Sequence, residues 1–287
     1  MIAKTVLITG CGPSGIGHAL ALEFQLRGHH VVASGLDDTL LSPFRELGID
    51  TVVLDVTSEK SIAIAASHVS KLTDGKLDIL VNNAGLMHIM AVSDTSIPDA
   101  RRVLEVNVLG VVAVTQAFLP LLIASANATV KGNSMIANLG SVNQVFCPPF
   151  FGIYNASKAA VEALNTTMRR ELAPLGVKVV LLKTGSIRTG LFENTPGTTK
   201  LPENSLYKPL GEWVEGRKML ESGRFVQPDV YAQKVVDELL RKDVRSVVWQ
   251  GGLATLAWVL SWLGWESMLD GEMIKGNKLN NIRLRQY

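Results

Sequence analysis

Four short apolar runs, Val6-Leu7-Ile8, Val31-Val32-Ala33, Val52-Val53-Leu54 and Ile79-Leu80-Val81, punctuate the first 81 residues. Each is continuous rather than alternating, the pattern of a strand buried on both faces. Between them the segments 17–27, 39–47 and 58–72 carry apolar residues three and four apart, which predicts helices with one core-facing stripe. Strand and helix in regular alternation predict βαβ units, hence a parallel sheet with helices on both sides. The alternation runs on through a helix at about 99–124, a strand at 134–139, a helix at about 153–173 and a strand at 177–182. It lapses over 185–227, where Pro196, Pro202, Pro209 and several glycines break any period, as in a substrate-side insertion. A helix at about 228–241 and a seventh strand at 246–249 complete the sheet.

Composition narrows the picture. With 287 residues, 47% of them hydrophobic and 19% charged, the chain has ample material for one large core and is neither disordered nor fibrous. We read 1–252 as one α/β domain with 185–227 as its insertion, and 253–287 as an apolar segment with a basic tail rather than a second domain. The net charge of +2, with no cluster of like charges, argues against nucleic acid as a partner. Cys11 and Cys147 form no C-x-x-C pair and lie near no histidine cluster, which fits a reducing compartment and no metal site. The apolar stretch near the amino terminus is too short for a signal-peptide core, so the expected location is intracellular.

The first strand leads into Thr9-Gly10-Cys11-Gly12-Pro13-Ser14-Gly15-Ile16-Gly17 and then directly into a helix. Backbone N–H groups at such a helix start, uncovered by side chains, suit a pyrophosphate. Further on stand Asn82-Asn83-Ala84-Gly85, Asn107 within Val106-Asn107-Val108, Ser141, and Tyr154 with Lys158 four residues later. In order and spacing these motifs, over about 4–190, resemble the short-chain dehydrogenase/reductase family. The resemblance implies a Rossmann-type, doubly wound fold with a seven-stranded parallel sheet and a nicotinamide dinucleotide. It places the cofactor on Gly10, Ser14, Gly15, Ile16 and Gly17, although the turn holds one residue more than the family's usual spacing.

Reduction of a ketone needs a hydride donor and an acid that protonates the carbonyl oxygen. Tyr154 is the candidate acid; a phenol near pKa 10 is weak at neutral pH unless a cation stabilises its phenolate, and Lys158 lies one helical turn away. By resemblance Lys158 also holds the nicotinamide ribose, Ser141 orients the substrate carbonyl and Asn107 anchors a proton-relay water. Asn83 and Gly85 would border the ribose and nicotinamide side, and Asp55 would contact adenine. After the sixth strand the family's usual Pro-Gly is replaced by Thr184-Gly185, while Ile187 and Thr189 keep their places beside the cofactor phosphates. The intact Asn107, Ser141, Tyr154 and Lys158 count against a redox-neutral isomerase or cyclase, and against a non-enzymatic dinucleotide-binding scaffold.

Within the family, Leu201 to Tyr207, Glu215 to Lys218, Pro228 to Ala232 and Trp249 to Gly252 look like the 1-acyldihydroxyacetone-phosphate reductase branch. That likeness implies a ketone on a lipid-like or secondary-metabolite substrate, with NADP(H) as cofactor. Against NADP(H), neither the turn nor the end of the second strand offers a cation: Ser14 and Leu36 stand there. Asp37, 20 residues after Gly17, has the spacing of an acid on a ribose 2′-hydroxyl, as in NAD(H) enzymes, and equally of a helix cap. Phe146, Phe150 and Phe151 either line an apolar pocket or simply pack in the core. The family also implies a homodimer or homotetramer built on the helices at 99–124 and 153–173.

From 246 to 265 the chain carries 20 uncharged residues, with Trp249, Trp258, Trp262 and Trp265 among them. Once the seventh strand is set aside, the remaining 15 residues make about 22 Å of helix, short of a hydrocarbon core of about 30 Å. Tryptophans followed by Lys275, Lys278, Arg283 and Arg285 suit the surface of an anionic membrane, such as the endoplasmic reticulum or a lipid droplet. Packing of this helix on its own domain or on a second subunit is the alternative.

Overall fold

Seven strands form one sheet in which every neighbouring pair is parallel: β1 (Thr5–Ile8), β2 (His30–Gly35), β3 (Asp50–Val53), β4 (Ile79–Asn82), β5 (Ser134–Leu139), β6 (Val177–Thr184) and β7 (Val247–Gln250), in the order β3-β2-β1-β4-β5-β6-β7. The computed structural model describes residues 3–128, 134–190, 200–221, 223–265 and 267–282. The middle of the predicted insertion, 191–199, and Arg283 and Arg285 lie outside the described residues. The strand order reverses between β1 and β4, which creates the crevice at the carboxyl ends of the strands where α/β proteins bind ligands.

Helices cover both faces. On one side α1 (Ile16–Leu26), α2 (Asp38–Glu46) and α9 (Pro228–Leu239) pack through Leu20, Phe24, Phe44, Val235 and Leu239. On the other α3 (Glu59–Leu72), α5 (Gly110–Asn127) and α7 (Gly152–Leu172) pack through Ile62, Val69, Phe118, Leu122 and Leu172. The alternation of strand and helix is therefore as the hydrophobic pattern predicts. One expectation is corrected at the edge: Val53, in a run read as buried on both faces, is 42% exposed because β3 is the outermost strand and only one neighbour covers it.

The helix predicted at 99–124 begins earlier, as α4 (Ile97–Leu104), and joins α5 through a π-helical turn, Glu105–Leu109, that contains Asn107. Such turns are uncommon and occur frequently at functional sites. The whole run Ile97–Asn127 is long and apolar enough to cross a membrane, yet Val111, Val114, Phe118 and Leu122 are buried in the domain. A ladder of buried amides ties α7 to the sheet: Asn82 Nδ2 donates to Asn138 Oδ1 at 2.9 Å, and Asn138 Nδ2 to Asn165 Oδ1 at 2.9 Å.

Short elements surround the carboxyl edge: α6 (Asn143–Phe146), α8 (Gly211–Glu215) and α11 (Asp270–Gly276), which no periodicity announced, and α10 (Ala254–Leu263), the helix expected in the apolar carboxy-terminal segment. The exit of β6 is held by backbone packed on backbone. Ser186 N donates to Gly252 O at 3.0 Å and Gly252 N to Ser186 O at 3.2 Å. A Cβ on Gly252 would lie 1.6 Å from Arg224 O, and one on Gly185 would lie 2.0 Å from Gly252 O. Gly252→Ala therefore has to displace main chain, and we expect a melting temperature lower by about 5 °C or more. An unchanged thermal transition would contradict this packing.

Candidate active site

The glycine-rich turn is shaped by what touches it. Gly10 has φ +71° and lies so close to β4's exit that a Cβ there would meet Ala84 Cα at 2.7 Å. A Cβ on Gly17 would meet Asn83 Nδ2 at 2.6 Å. Asn83 itself points into the turn: its Nδ2 donates to Thr9 O at 2.7 Å and to Gly10 O at 3.0 Å. Thr9 Oγ1 in return accepts the N–H groups of Asn83 and Ala84, each at 3.0 Å. The side chain of Asn83, read as a ribose neighbour, thus serves the site by locking the β1 and β4 exits together.

The extra residue of the turn is absorbed locally. Gly15 N donates to Gly12 O at 3.1 Å, closing a β-turn with Pro13 second and Ser14 third, and Ser14 takes a left-handed φ of +58°. Cys11 is buried beneath it, its N–H on Ser34 O at 2.7 Å, and burial pushes its thiol up to about 12. No side chain caps α1 and no acid sits in its first turn. These uncapped N–H groups, with glycine on either side of Ile16, fit the phosphates of a dinucleotide.

The other residues expected to contact the cofactor are held by different means. Gly85 lies between the two polar side chains of the site, since a Cβ there would stand 3.3 Å from Asn107 Oδ1 and 3.8 Å from Lys158 Nζ. Asp55 Oδ1 accepts Thr57 N at 2.9 Å and Thr57 Oγ1 at 2.7 Å, a turn at the end of β3. Ile187 is buried and bridges to Val226, while Thr189 is half-buried on the same exit. Thr184, in the place of the family's proline, bonds Tyr231 Oη at 2.6 Å and so fastens β6 to α9. Asp37 caps α2, accepting from Thr39 N at 2.9 Å and Leu40 N at 3.0 Å. The Thr39 hydroxyl, which also donates to it, holds its carboxyl below the usual range.

Tyr154 and Lys158 share one face of α7 at its buried start, and Ser141 faces them from the loop after β5. The phenol shares a hydrogen bond with Ser141. Ser141 Oγ accepts the Asn143 N–H at 3.1 Å. Lys158 Nζ donates to Leu139 O at 2.7 Å and stands 5.7 Å from the centre of the Tyr154 ring. Burial lowers Lys158 to about 8 and pushes Tyr154 up to about 12, the Ser141 bond offsetting part of the latter. This corrects the expectation that the ammonium would pull the phenol down: with both groups out of water, desolvation is the larger effect.

Asn107 is spanned by two elements. Its Oδ1 accepts Leu86 N at 2.7 Å, and its Nδ2 donates to Leu86 O and Ser157 Oγ, each at 2.9 Å. Ser157 Oγ then donates to Tyr154 O at 2.7 Å. Both N–H hydrogens of Asn107 are engaged, so a water held by its side chain has to donate to it. Ser157 is a positioning residue the motif reading passed over; its signal was the residue immediately before Lys158.

An apolar wall encloses the phenol. Met87, Ile89, Met90, Phe150 and Phe151 form one packed cluster with Tyr154, joined by Leu210 and Val214 of the insertion. Phe150, at φ +69°, accepts the Met90 N–H on its carbonyl oxygen at 2.7 Å and meets Tyr207 edge-on at 5.5 Å. Phe146 packs elsewhere, with Val145 and Trp249 against Ala254 and Ala257 of α10.

The site reads as a proton donor held neutral by burial, an aligned hydroxyl, and a cation that favours the phenolate when the proton leaves. Because the Lys158 ammonium persists only below about 8, kcat/KM for carbonyl reduction is expected to be level under that pH and to fall about tenfold per unit above it. A profile flat to pH 10 would remove Lys158 from the chemistry.

The chain is similar to known proteins over most of its length. Residues 4–199 match the family model described as short chain dehydrogenase. A short-chain dehydrogenase of Neurospora crassa is 38% identical over 248 residues, 86% of this chain and 83% of its own. A short-chain dehydrogenase/reductase of Pestalotiopsis microspora is 40% identical over 259 residues, 88% of this chain and 86% of its own. Among solved structures, a short-chain dehydrogenase from Streptomyces avermitilis superposes with a TM-score of 0.77 at 26% identity, covering 98% of both chains. A 3-ketoacyl-(acyl-carrier-protein) reductase from Brucella melitensis complexed with NADH gives 0.70 at 27% identity, over 85% of this chain and 95% of its own. The chain belongs to the short-chain dehydrogenase/reductase family and is a nicotinamide-dinucleotide-dependent oxidoreductase acting on CH–OH or C=O groups.

Proposed function

We propose that this enzyme reduces a ketone on an apolar, lipid-like or secondary-metabolite substrate, with NADPH as donor. The observation that carries the substrate class is the wall around Tyr154, built of Met, Ile, Leu and Phe side chains from the 86–91 loop, the 148–151 segment and the insertion. Such a wall favours an apolar ligand and leaves orientation to the few polar groups beside the phenol. The nicotinamide supplies the hydride. Tyr154 Oη supplies the proton to the carbonyl oxygen, Ser141 Oγ aligns that oxygen, and Lys158 stabilises the phenolate left behind.

NADPH is supported by likeness to the 1-acyldihydroxyacetone-phosphate reductase branch. NADH is favoured by one specific observation: Asp37 is ionised at the end of β2 beside exposed Leu36, where a 2′-phosphate would meet a negative charge. Comparing kcat/KM for the two cofactors on one ketone decides between them, a strong NADH preference ending the NADPH reading.

Two further parts of the proposal concern surroundings. Likeness to the family supports a homo-oligomer built on the helices at 99–124 and 153–173. The α10 segment supports attachment to an intracellular lipid surface: Ala254 and Ala257 are buried, whereas Trp262 and Leu263 at the end of α10 and Trp265 just past it are 74%, 75% and 67% exposed. Ten residues make about 15 Å of helix, enough to lie in a membrane interface and too short to cross it. Liposome flotation of the full chain against a Trp262→Ala/Trp265→Ala variant tests this, and equal failure of both to float removes it.

For the reaction itself, Tyr154→Phe is expected to lower kcat by about 10²–10⁴ while dinucleotide affinity is kept, since the ring still packs. Turnover within about tenfold of the parent would remove Tyr154 as the acid.

A further inference from the structure

Behind Ser141 runs a chain of polar contacts that the reaction scheme above does not use. Lys183, on β6, points to the α7 side of the sheet and is 6% exposed. Its Nζ lies 2.7 Å from Glu162 Oε1 and 4.6 Å from the centre of the Trp249 ring. Glu162 is on α7, one turn past Lys158 and two past Tyr154, so the three share a helix face. The second carboxylate oxygen of Glu162 accepts from Gln144 Nε2 of α6 in a tight contact. Gln144 Oε1 then accepts the backbone N–H of Ser141 at 3.3 Å.

An ammonium placed on a covered strand is expensive unless it is paired, and an apolar side chain at 183 would pack there without that cost. Pairing fixes the Glu162 carboxylate, which leaves one oxygen aimed at Gln144. The Gln144 amide then presents its oxygen to the peptide that carries Ser141. The loop after β5 needs such a hold, because Ser141 Oγ must stand on the Tyr154 phenol while its own backbone leaves the sheet.

We propose that Lys183, Glu162 and Gln144 are positioning residues for the reductase: together they fix the Ser141 peptide, and through it the hydroxyl that aligns the carbonyl with Tyr154. This rests on the reductase reading of Ser141 and Tyr154, and it adds three residues outside the Asn107-Ser141-Tyr154-Lys158 set.

The test uses the full chain. Gln144→Ala, on a half-buried four-residue helix, should leave the fold intact. It should lower kcat for ketone reduction about tenfold, with dinucleotide affinity kept, and should speed hydrogen exchange of the Ser141 amide by about tenfold. Glu162→Gln turns its carboxamide oxygen to the Lys183 ammonium and its amide hydrogens against Gln144 Nε2, donor on donor, and should lower kcat likewise. Glu162→Gln combined with Lys183→Met should restore it, because the carboxamide oxygen then faces Gln144 and the thioether fills the space of the lysine stem. A purely structural role would move the melting temperature of these variants without this loss and rescue of kcat. Turnover of Gln144→Ala within about twofold of the parent, or unaltered exchange at Ser141, overturns the proposal. A parent that reduces no ketone would sink the reductase reading instead, and the exchange measurement would still decide whether Gln144 holds the Ser141 peptide.

Discussion

The buried ammonium of Lys158 organises the carboxyl edge of this protein. Lys158 enters a site closed to water, and burial alone brings its ammonium down to about 8. Its direct partner is the Leu139 carbonyl at the end of β5, a neutral dipole rather than a carboxylate. Because that partner is neutral, the charge remains available to a phenolate on Tyr154 and to the hydroxyls of a bound ribose. A carboxylate in the same position would have neutralised it. Glu162, one turn along the same helix, is instead paired with Lys183.

Holding such a group in place calls for rigid surroundings, and the sheet supplies them at its switch point. Thr9 and Asn83 clamp the exits of β1 and β4, so the glycine turn and the 83–86 segment move as one body. Asn107 joins that segment to α7 through Leu86 and Ser157, from within a π turn that breaks the ordinary helical bonding. Below them the Asn82, Asn138 and Asn165 ladder carries the same connection through the core. Satisfied amides in a dry interior hold one geometry well, since any displacement leaves a buried donor or acceptor unpaired.

Much of this was legible in the chain. Continuous β-branched runs separated by helical periods announced a parallel sheet, because strands covered on both faces have no polar side to display. The site residues were legible for a different reason: Tyr154, Lys158, Ser141 and Asn107 stand at spacings that match a family's motifs. What escaped were relationships between elements. Nothing in the order of residues shows that Asn83 turns inward to the glycine turn, that Lys183 reaches Glu162 across a strand-helix contact, or that burial outweighs the lysine in setting the Tyr154 phenol. Short elements such as α6 and α8 escaped too, since four or five residues hold no period, and their position depends on the wall they complete.

The central claim is that the cofactor's hydride, and not a rearrangement within the substrate, makes the product, with Tyr154 delivering the accompanying proton. Following deuterium from nicotinamide labelled at C4 on the transferred side into the product tests it most directly. The account predicts one deuterium per turnover at the new carbinol carbon, and none there when Tyr154 is replaced by Phe because turnover itself is lost. Product formed at the parent's rate with no deuterium at that carbon would contradict the account.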